Sequence, residues 1–261
     1  MSHHAHDLTA LAVPESMRLL RDVLPEPPAA VCEVGCGRGA LAAALIDAGY
    51  DVTGLEPDEE VAAQARGRGV PVLVEDLRAH HAPGRYDVVL FTRSLHHIED
   101  LPGAIAHAGT LLRPGGLLVL EEFAREAADP AAARFLFDTR ALLTAAGRLE
   151  PDDEEHPDEP DDPWQRWQEH FVPNGHDTAE ELRHKPFHRV DDILRTLSAA
   201  GFAVRERPTA TLWRMVAQGL AESPEAAAIA ATLRTIEYRR IADGSLPALG
   251  RFLVATPSTS D

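Results

Sequence analysis

Apolar residues recur along the first half of the chain in short runs that alternate with helical patterns. Mostly apolar runs predict strands at 31–34, 50–56, 70–76, 86–92 and 117–122. Apolar residues at helical spacing predict helices between them, for example at 40–46 and 61–66. A further helix is predicted at 14–24, with Pro14 in its first turn, where proline is favoured. Strands that alternate with helices are typical of a parallel sheet in an α/β protein.

The pattern is less regular after residue 123. A helical pattern at 131–146 is followed by an acidic run from Glu150 to Asp162, which predicts a mobile loop because of its charge and low apolar content. An amphipathic helix at 190–200, a stop at Gly201 and a strand from Phe202 come next. Helical patterns then fill 211–246, and 249–256 predicts a last strand.

A glycine turn follows the first predicted strand. Its glycines at 35, 37 and 39 allow a sharp turn onto a helix start, where free backbone N–H groups can approach a ligand. The second strand ends at Glu56, about twenty residues past the first glycine, where a carboxylate can accept ribose hydroxyls. These features predict a site for a nucleotide-like cofactor. Gly35, Gly37 and Ala40 also fit the dinucleotide fingerprint, so a dinucleotide is a second interpretation.

Five segments, in order, resemble the class I S-adenosylmethionine-dependent methyltransferases, in particular small-molecule enzymes of the ubiquinone-biosynthesis type. The segment 31–39 resembles their motif I, and Glu56 and Asp76 match their strand-end acids. Residues 93–98, Arg-Ser-Leu-His-His-Ile, resemble motif IV, and Arg-Pro-Gly-Gly at 113–116 resembles the family's helix end and turn before the fifth strand. The resemblance implies an α/β, Rossmann-like sheet of seven strands in the order 3-2-1-4-5-7-6. Its last strand would be antiparallel, with helices on both faces and a helical lid insertion.

The length suffices for one large domain with an insertion, so we expect a single methyltransferase domain over residues 1–261. Within it we expect an N-terminal helical cap at 1–30 and a cofactor-binding core at 31–123. A lid or substrate insertion would span 124–188, and the second half of the sheet would span 189–261 with a helical insertion at 210–248. This last insertion departs from the family, whose sixth and seventh strands are commonly a hairpin.

S-adenosyl-L-methionine is the implied cofactor, with S-adenosyl-L-homocysteine as the product. Glu33 would attract the methionine ammonium, Glu56 would bind the ribose, Asp76 would accept from the adenine amine, and Leu77 would pack by the adenine ring. Arg38 is either a solvated cation of the loop or a partner of the methionine carboxylate, and both interpretations stay open. The full set of predicted cofactor-binding residues is Glu33, Gly35, Cys36, Gly37, Arg38, Gly39, Glu56, Pro57, Asp76, Leu77, Thr92 and Arg93.

Two histidines of motif IV are the candidate catalytic residues, because an imidazole titrates near neutrality and can take a proton from a methyl acceptor. Of His96 and His97 we favour His97 for proton transfer. Methyl transfer itself would be an in-line displacement that depends mainly on alignment. Trp164, Trp167 and His170 recur at three-residue spacing, and with Trp213 they are candidate substrate residues. Packing onto the core is the equal alternative for that helical face.

Composition and charge restrict the classes of molecule that the protein is expected to bind. The formal net charge of −17 and the absence of a basic run disfavour nucleic acid. The sequence contains no apolar run of 18 residues, the length needed to cross a membrane, and its N-terminal residues do not resemble a secretion signal. We therefore expect a cytoplasmic enzyme that acts on a small molecule. We predict that Cys32 and Cys36 are ordinary buried or loop thiols.

No metal site is predicted, because the histidines at 170, 176, 184 and 188 lack a recognisable ligand spacing. Two other functions stay open beside methyl transfer. One is an NAD-dependent oxidoreductase, disfavoured because no Tyr-xxx-Lys pair occurs and Lys185 is the sole lysine. The other is an S-adenosylmethionine-binding protein with a non-methylating role. The sequence leaves open the acceptor, the methylated atom, the need for a base and the oligomeric state.

Overall fold

The computed structural model describes residues 9–149, 160–172 and 188–258. The strands in these ranges are β1 (Ala30–Val34), β2 (Asp51–Leu55), β3 (Val72–Leu73), β4 (Tyr86–Thr92), β5 (Leu112–Phe123), β6 (Phe202–Thr209) and β7 (Gly250–Pro257). The α-helices are α1 (Thr9–Arg21), α2 (Ala40–Asp47), α3 (Glu59–Gly67), α4 (Leu101–Leu111), α5 (Pro130–Ala145), α6 (Pro163–Phe171), α7 (Val190–Ala199), α8 (Leu212–Ala217) and α9 (Ala226–Ala242). Short 3₁₀ turns lie at Leu95–His97 and Arg125–Ala127.

The strands form one seven-stranded sheet in the order β3-β2-β1-β4-β5-β7-β6, with the last strand antiparallel. The first five strands pair in parallel, so that Val34 lies opposite Leu55 on one side and Phe91 on the other. The predicted Rossmann-like α/β fold and strand order are confirmed. Because parallel strands end at the same edge, residues that follow β1, β2, β3 and β4 come together there.

Side chains of the central strands alternate between two apolar clusters, one on each face of the sheet. Val31, Val88 and Val119 pack against residues of α1, α2 and α3 on one face. Cys32, Val89 and Leu118 pack against residues of α4 and α7 on the other. This alternation follows from the two-residue period of a strand, and burial on both faces explains why these strands read as nearly continuous apolar runs.

The chain divides into two compact units. The sheet unit comprises Ala12–Glu122, Phe187–Arg207 and Arg251–Asp261. The helical unit comprises Met1–Leu11, Phe123–Pro186 and Pro208–Gly250. Within the helical unit α5 packs on α6 and α8, and α9 packs on α8.

The fully buried Glu237 of α9 organises the helical unit. Its Oε1 accepts hydrogen bonds from the Thr211 and Leu212 N–H groups at 2.7 and 3.0 Å, and its Oε2 accepts from the Trp213 N–H at 2.7 Å. The carboxylate therefore satisfies backbone donors at the start of α8, which a helix cannot satisfy internally. Burial raises the pKa of Glu237, and the three backbone donors oppose that shift.

Three local predictions were wrong. The first helix begins at Thr9, not at Pro14, and Pro14 lies inside it, because the helix-favouring residues before the proline extend the helix toward the N-terminus. The third strand is confined to Val72–Leu73, at the edge of the sheet, where it has a partner on one side. The turn predicted at 113–116 belongs instead to β5, where a register shift against β4 between Tyr86 and Val88 accommodates the extra residues.

Some predictions lie outside the described residues. Most of the acidic run, at 150–159, and the histidines at 176 and 184 are among them. At the end of that run Asp162 accepts a hydrogen bond from the Gln165 N–H at 2.9 Å and caps α6. The single-domain organisation and its internal boundaries stay predictions.

Candidate functional site

A cavity of about 500 Å³ lies in the sheet unit at the carboxyl edge of the parallel strands. Its walls come from the ends of β1, β2 and β3 and from the loop after β4, as expected for a ligand site of an open α/β sheet. The lining residues are Val34, Gly35, Leu55, Glu56, Pro57, Glu75, Asp76, Leu77, Arg78, Arg93, Ser94, His97, Ile98 and Glu99.

Gly35, the first residue of the glycine turn, lines the cavity and approaches the loop after β4 closely. Gly35 has a φ of 67°, and a Cβ at this position would lie 2.8 Å from the Ser94 Cβ. The Ser94 hydroxyl donates to the Val34 carbonyl at 2.6 Å and holds the two segments together. Gly37 has a φ of 56°, but a Cβ there would meet open space. A residue without a Cβ adopts a positive φ without strain, which explains why both positions are glycine.

Glu56 is held by the glycine turn that it faces. Its Oε2 accepts from the Gly37 N–H at 3.0 Å, and its Oε1 accepts from the Asp58 N–H at 3.1 Å. Each carboxylate oxygen retains a lone pair after these bonds, so Glu56 can also accept hydroxyl groups of a ligand in the cavity.

Glu33 is the buried acid of the site, at the end of β1 on the face shared with Thr92. It is 2% exposed, and its Oε1 accepts from the Thr92 hydroxyl at 2.8 Å. Its Oε2 is buried without a hydrogen-bond partner among the described residues. Burial raises the pKa of Glu33 to about 7, against the opposing effects of Thr92, the Ala42 backbone and Arg93. A buried carboxylate in this state favours a cationic partner.

The loop after β4 contributes a cation to the cavity. Arg93 lines it and adopts a φ of 60°, an uncommon conformation for a residue with a Cβ. Its backbone N–H donates to the Glu121 carbonyl at 2.7 Å, which fixes the loop to the end of β5.

His96 and His97 have different environments. His97 is exposed and lines the cavity, whereas His96 is buried. The His96 Nδ1 is hydrogen-bonded to Oε2 of Glu122, and the two imidazole rings lie 4.2 Å apart. The sequence-based predictions did not include Glu122 among the site residues. Its position at the end of a predicted strand, next to the strand that precedes the two histidines, could have indicated that it lies at this site.

Strand alternation separates Glu122 from its neighbour Glu121. Glu121 accepts a hydrogen bond from the Ser16 hydroxyl of α1 at 2.9 Å, and Glu122 contacts His96. Successive strand residues point to opposite faces, so the two buried carboxylates have separate partners. They therefore form a natural pair for comparison by mutation.

The structure brings together about half of the predicted cofactor residues at the cavity. Gly35, Glu56, Pro57, Asp76, Leu77 and Arg93 line it. Glu33, Cys36, Gly37, Arg38, Gly39 and Thr92 lie in the adjoining glycine turn or at the ends of β1 and β4, and they are not among the lining residues.

The two cysteines are free thiols packed in the sheet unit. Burial raises the pKa of Cys32 to about 12 and also raises that of Cys36. A Cβ on Gly54 would lie 2.6 Å from the Cys36 sulfur, so this thiol occupies space that the glycine leaves. Both cysteines are therefore protonated packing residues in the ligand-free protein.

The predicted substrate residues all lie in the helical unit. Trp167 is buried against Phe123 and Phe171, at ring distances of 5.9 and 4.5 Å, whereas His170 is exposed and Trp164 is half-buried. Trp213 is buried, and its indole N–H has no hydrogen-bond partner among the described residues. The roles of these four residues in substrate binding stay predictions.

The residues at 9–149, 160–172 and 188–258 include no group of three or more His, Cys, Asp or Glu side chains that could bind a metal ion. Their helices include none that is both long and apolar enough to span a bilayer.

Comparison with known proteins identifies the family. A model of the methyltransferase domain matches residues 4–207, well over half of the chain. The chain belongs to this methyltransferase family. The match confirms the resemblance recognised in the motifs from the glycine turn to β5.

A ubiquinone biosynthesis O-methyltransferase from Thiobacillus denitrificans is 35% identical over 106 residues, which are 37% of this chain and 45% of that protein. The match thus spans less than half the length of this curated relative.

Solved structures share the fold. An S-adenosylmethionine-dependent methyltransferase from Listeria monocytogenes, described as putative, aligns with a TM-score of 0.55 and 17% identity, over 94% of this chain and 99% of its own. Magnesium protoporphyrin IX methyltransferase from Synechocystis, with bound S-adenosylhomocysteine, aligns with a TM-score of 0.52 and 18% identity, over 96% of this chain and 84% of its own.

Proposed function

We propose that this chain binds S-adenosyl-L-methionine in the cavity of the sheet unit and transfers its methyl group to a small-molecule acceptor by in-line displacement. The observation that carries the proposal is Glu33, a buried carboxylate with one unpartnered oxygen, next to the glycine turn at the cavity. An uncompensated buried charge is unfavourable, and the donor's ammonium group would compensate it. Family membership and the Synechocystis neighbour with its bound product support the same cofactor.

The remaining walls fit the other parts of the donor. Glu56 would accept both ribose hydroxyls while its backbone hydrogen bonds hold it in place. Asp76 offers an exposed carboxylate to the adenine amine, and the buried Leu77 offers apolar surface to the ring. Arg93 and Arg78 both line the cavity, and we assign Arg93, in the loop after β4, to pair with the donor's carboxylate.

Catalysis would depend mainly on alignment. When bound, the cofactor supplies a methyl group activated by the positive sulfonium, which leaves as a neutral thioether. Holding two reactants in a near-attack geometry lowers a barrier by about 7–11 kcal/mol, whereas a positioned base adds a factor of about 10²–10⁴. The protein's larger contribution is therefore the fixed arrangement of the glycine turn, Glu56 and the loop after β4.

Proton removal from the acceptor is assigned to the histidine pair. His97 reaches the cavity, and His96 behind it is oriented by Glu122. Glu122 thus fixes the ring that packs against His97 and limits the positions that the His97 imidazole can adopt.

A small acceptor, not nucleic acid, is favoured by the charge of −17. We keep a cytoplasmic location as a prediction.

Thermal unfolding with S-adenosylmethionine, S-adenosylhomocysteine or NADH in large excess tests the proposal. A ligand at a hundred times its Kd adds about 2.7 kcal/mol of stability, which raises the Tm by several degrees. The two adenosyl compounds should raise the Tm of the wild type but not that of Glu56→Ala, and NADH should raise neither. Glu60→Gln, which changes an exposed acid of α3, should behave as wild type. A response to NADH alone would overturn the proposal in favour of an oxidoreductase.

A further inference from the structure

A hydrogen-bonded network connects the cavity to the start of β4 through His80, in the loop 74–85. The His80 Nδ1 lies 2.7 Å from Oε1 of Glu75, and its Nε2 lies 2.9 Å from the Tyr86 hydroxyl. His80 is 6% exposed, and Tyr86 is fully buried. The imidazole therefore links a residue that lines the cavity to the first residue of a core strand.

The chemistry of the two partners determines the role of each ring nitrogen. An ionised Glu75 carboxylate can only accept, so Nδ1–H of His80 donates to it. Burial raises the pKa of Tyr86, which keeps its hydroxyl protonated and able to donate to Nε2. With one nitrogen donating and the other accepting, the His80 ring has a single favoured orientation.

The backbone of His80 is also held. His107 of α4 directs its Nε2 to the His80 carbonyl oxygen at 2.9 Å, where the nitrogen donates. Tyr86 pairs with Leu112 in the sheet and belongs to the core cluster on that face. The network is thus anchored to both a helix and a strand, and through His80 it restrains the Glu75 side chain.

Glu75 itself combines anchoring with access. Its side chain is 29% exposed, and it lines the cavity together with Asp76 and Leu77. Because His80 occupies Oε1, the second oxygen is available to a hydrogen-bond donor in the cavity. A restrained carboxylate binds such a donor more tightly than a mobile one, because less side-chain entropy is lost on binding.

We propose that Glu75 is a further binding residue for the adenosyl donor, accepting a hydrogen bond from one of its N–H or O–H groups, and that His80 is the positioning residue that holds Glu75 for this contact. The inference rests on the proposed function, because it takes the cavity to be the donor site. If the network served only to stabilise the loop 74–85, removing it would leave the ligand affinity unchanged.

Titration calorimetry of the full chain with S-adenosylhomocysteine separates these roles. Glu75→Gln and His80→Phe should each raise the Kd by about tenfold, the effect expected for one hydrogen bond to a charged group. In the double variant the loss should equal that of either single variant, because both changes remove the same interaction. His80→Asn places an amide N–H close to the position of Nδ1 and should restore most of the affinity.

The control is His81→Phe, which changes the exposed neighbour on the same loop and should bind as wild type. The positioning role is overturned if His80→Phe lowers the Tm with an unchanged Kd, or if the losses of the two single variants add. Should His80→Phe fail to fold, Glu75→Gln and His80→Asn still decide, since an unchanged Kd in Glu75→Gln refutes the contact. If the wild type itself does not bind S-adenosylhomocysteine, it is the proposed function that fails.

Discussion

The His96 imidazole and the Glu122 carboxylate form a buried hydrogen bond between residues 26 positions apart in the chain. His96 follows β4, and Glu122 lies near the end of the neighbouring parallel strand β5. The parallel pairing brings both residues to the carboxyl edge of the sheet, where His97 lines the cavity.

We expect Glu122→Gln to lower the rate of methyl transfer by at least about tenfold, as part of the 10²–10⁴ that a positioned base supplies. The amide can donate to the His96 Nδ1 as well as accept from it, so the ring orientation is no longer fixed. Turnover of radiolabelled S-adenosylmethionine with an acceptor found by screening measures the rate, and calorimetry should show an unchanged Kd for S-adenosylhomocysteine.

Glu121→Gln is the matched control for Glu122→Gln, because this adjacent buried carboxylate accepts from Ser16, whereas Glu122 is bonded to His96. Replacing His96 and His97 together by Ala should abolish proton transfer. Equal losses in the two glutamine variants, or unchanged turnover in Glu122→Gln, would remove the role of this pair.

Donor affinity should depend on the protonation of Glu33. Its pKa of about 7 means that the carboxylate becomes neutral below that pH and loses its attraction for the donor's ammonium group. The Kd for S-adenosylmethionine should therefore rise by up to about tenfold for each pH unit below 7. Glu33→Gln should bind more weakly and without this pH dependence. A wild-type Kd that is flat between pH 5.5 and 7 would contradict the prediction.

The same carboxylate should destabilise the ligand-free protein at alkaline pH. The pKa of Glu33 in the folded protein lies above 4.5, the ordinary value for a glutamate, so protonation favours folding. This contribution is fully present below pH 4.5 and is lost as the pH rises through 7. Glu33→Gln should thus raise the free energy of unfolding at pH 8, by up to about 3 kcal/mol, and change it little at pH 4.5. Denaturant unfolding at the two pH values measures the difference.

Gly35→Ala and Gly37→Ala should destabilise the protein to different degrees. Both positions have positive φ, which costs a residue with a Cβ about 1–2 kcal/mol. Only at position 35 would the new methyl group also collide with Ser94. We therefore expect the order of Tm to be wild type, then Gly37→Ala, then Gly35→Ala. A Tm of Gly35→Ala equal to that of Gly37→Ala would show that the loop after β4 adjusts without cost.

Glu237→Ala should destabilise the helical unit. The substitution leaves the buried N–H groups of Thr211, Leu212 and Trp213 without their acceptor, at a cost of about 1–3 kcal/mol for each group that stays unsatisfied. Hydrogen exchange at these three amides should accelerate. Glu225→Ala, at an exposed position just before α9, is the control and should leave that exchange unchanged. Exchange that stays slow in Glu237→Ala would show that these amides are protected without the carboxylate and would contradict the prediction.

The sequence determined the order of strands and helices in the sheet unit, and it placed the candidate ligand site at the edge of the sheet where the cavity lies. Both depend on local signals, namely strand and helix periodicity and glycines at fixed spacing after a strand. The sequence-based errors at Pro14 and at 113–116 fall where the chain context outweighed a local proline or glycine signal.

Tertiary structure alone decided which side chains act together. Glu122 with His96, Glu75 with His80 and Tyr86, and Glu237 with the start of α8 join residues that no local spacing connects. It also distinguished the buried His96 from the exposed His97, which are neighbours in the sequence. The physical reason is that burial and hydrogen bonding depend on how strands pair and helices pack, and these contacts form between segments that are distant along the chain.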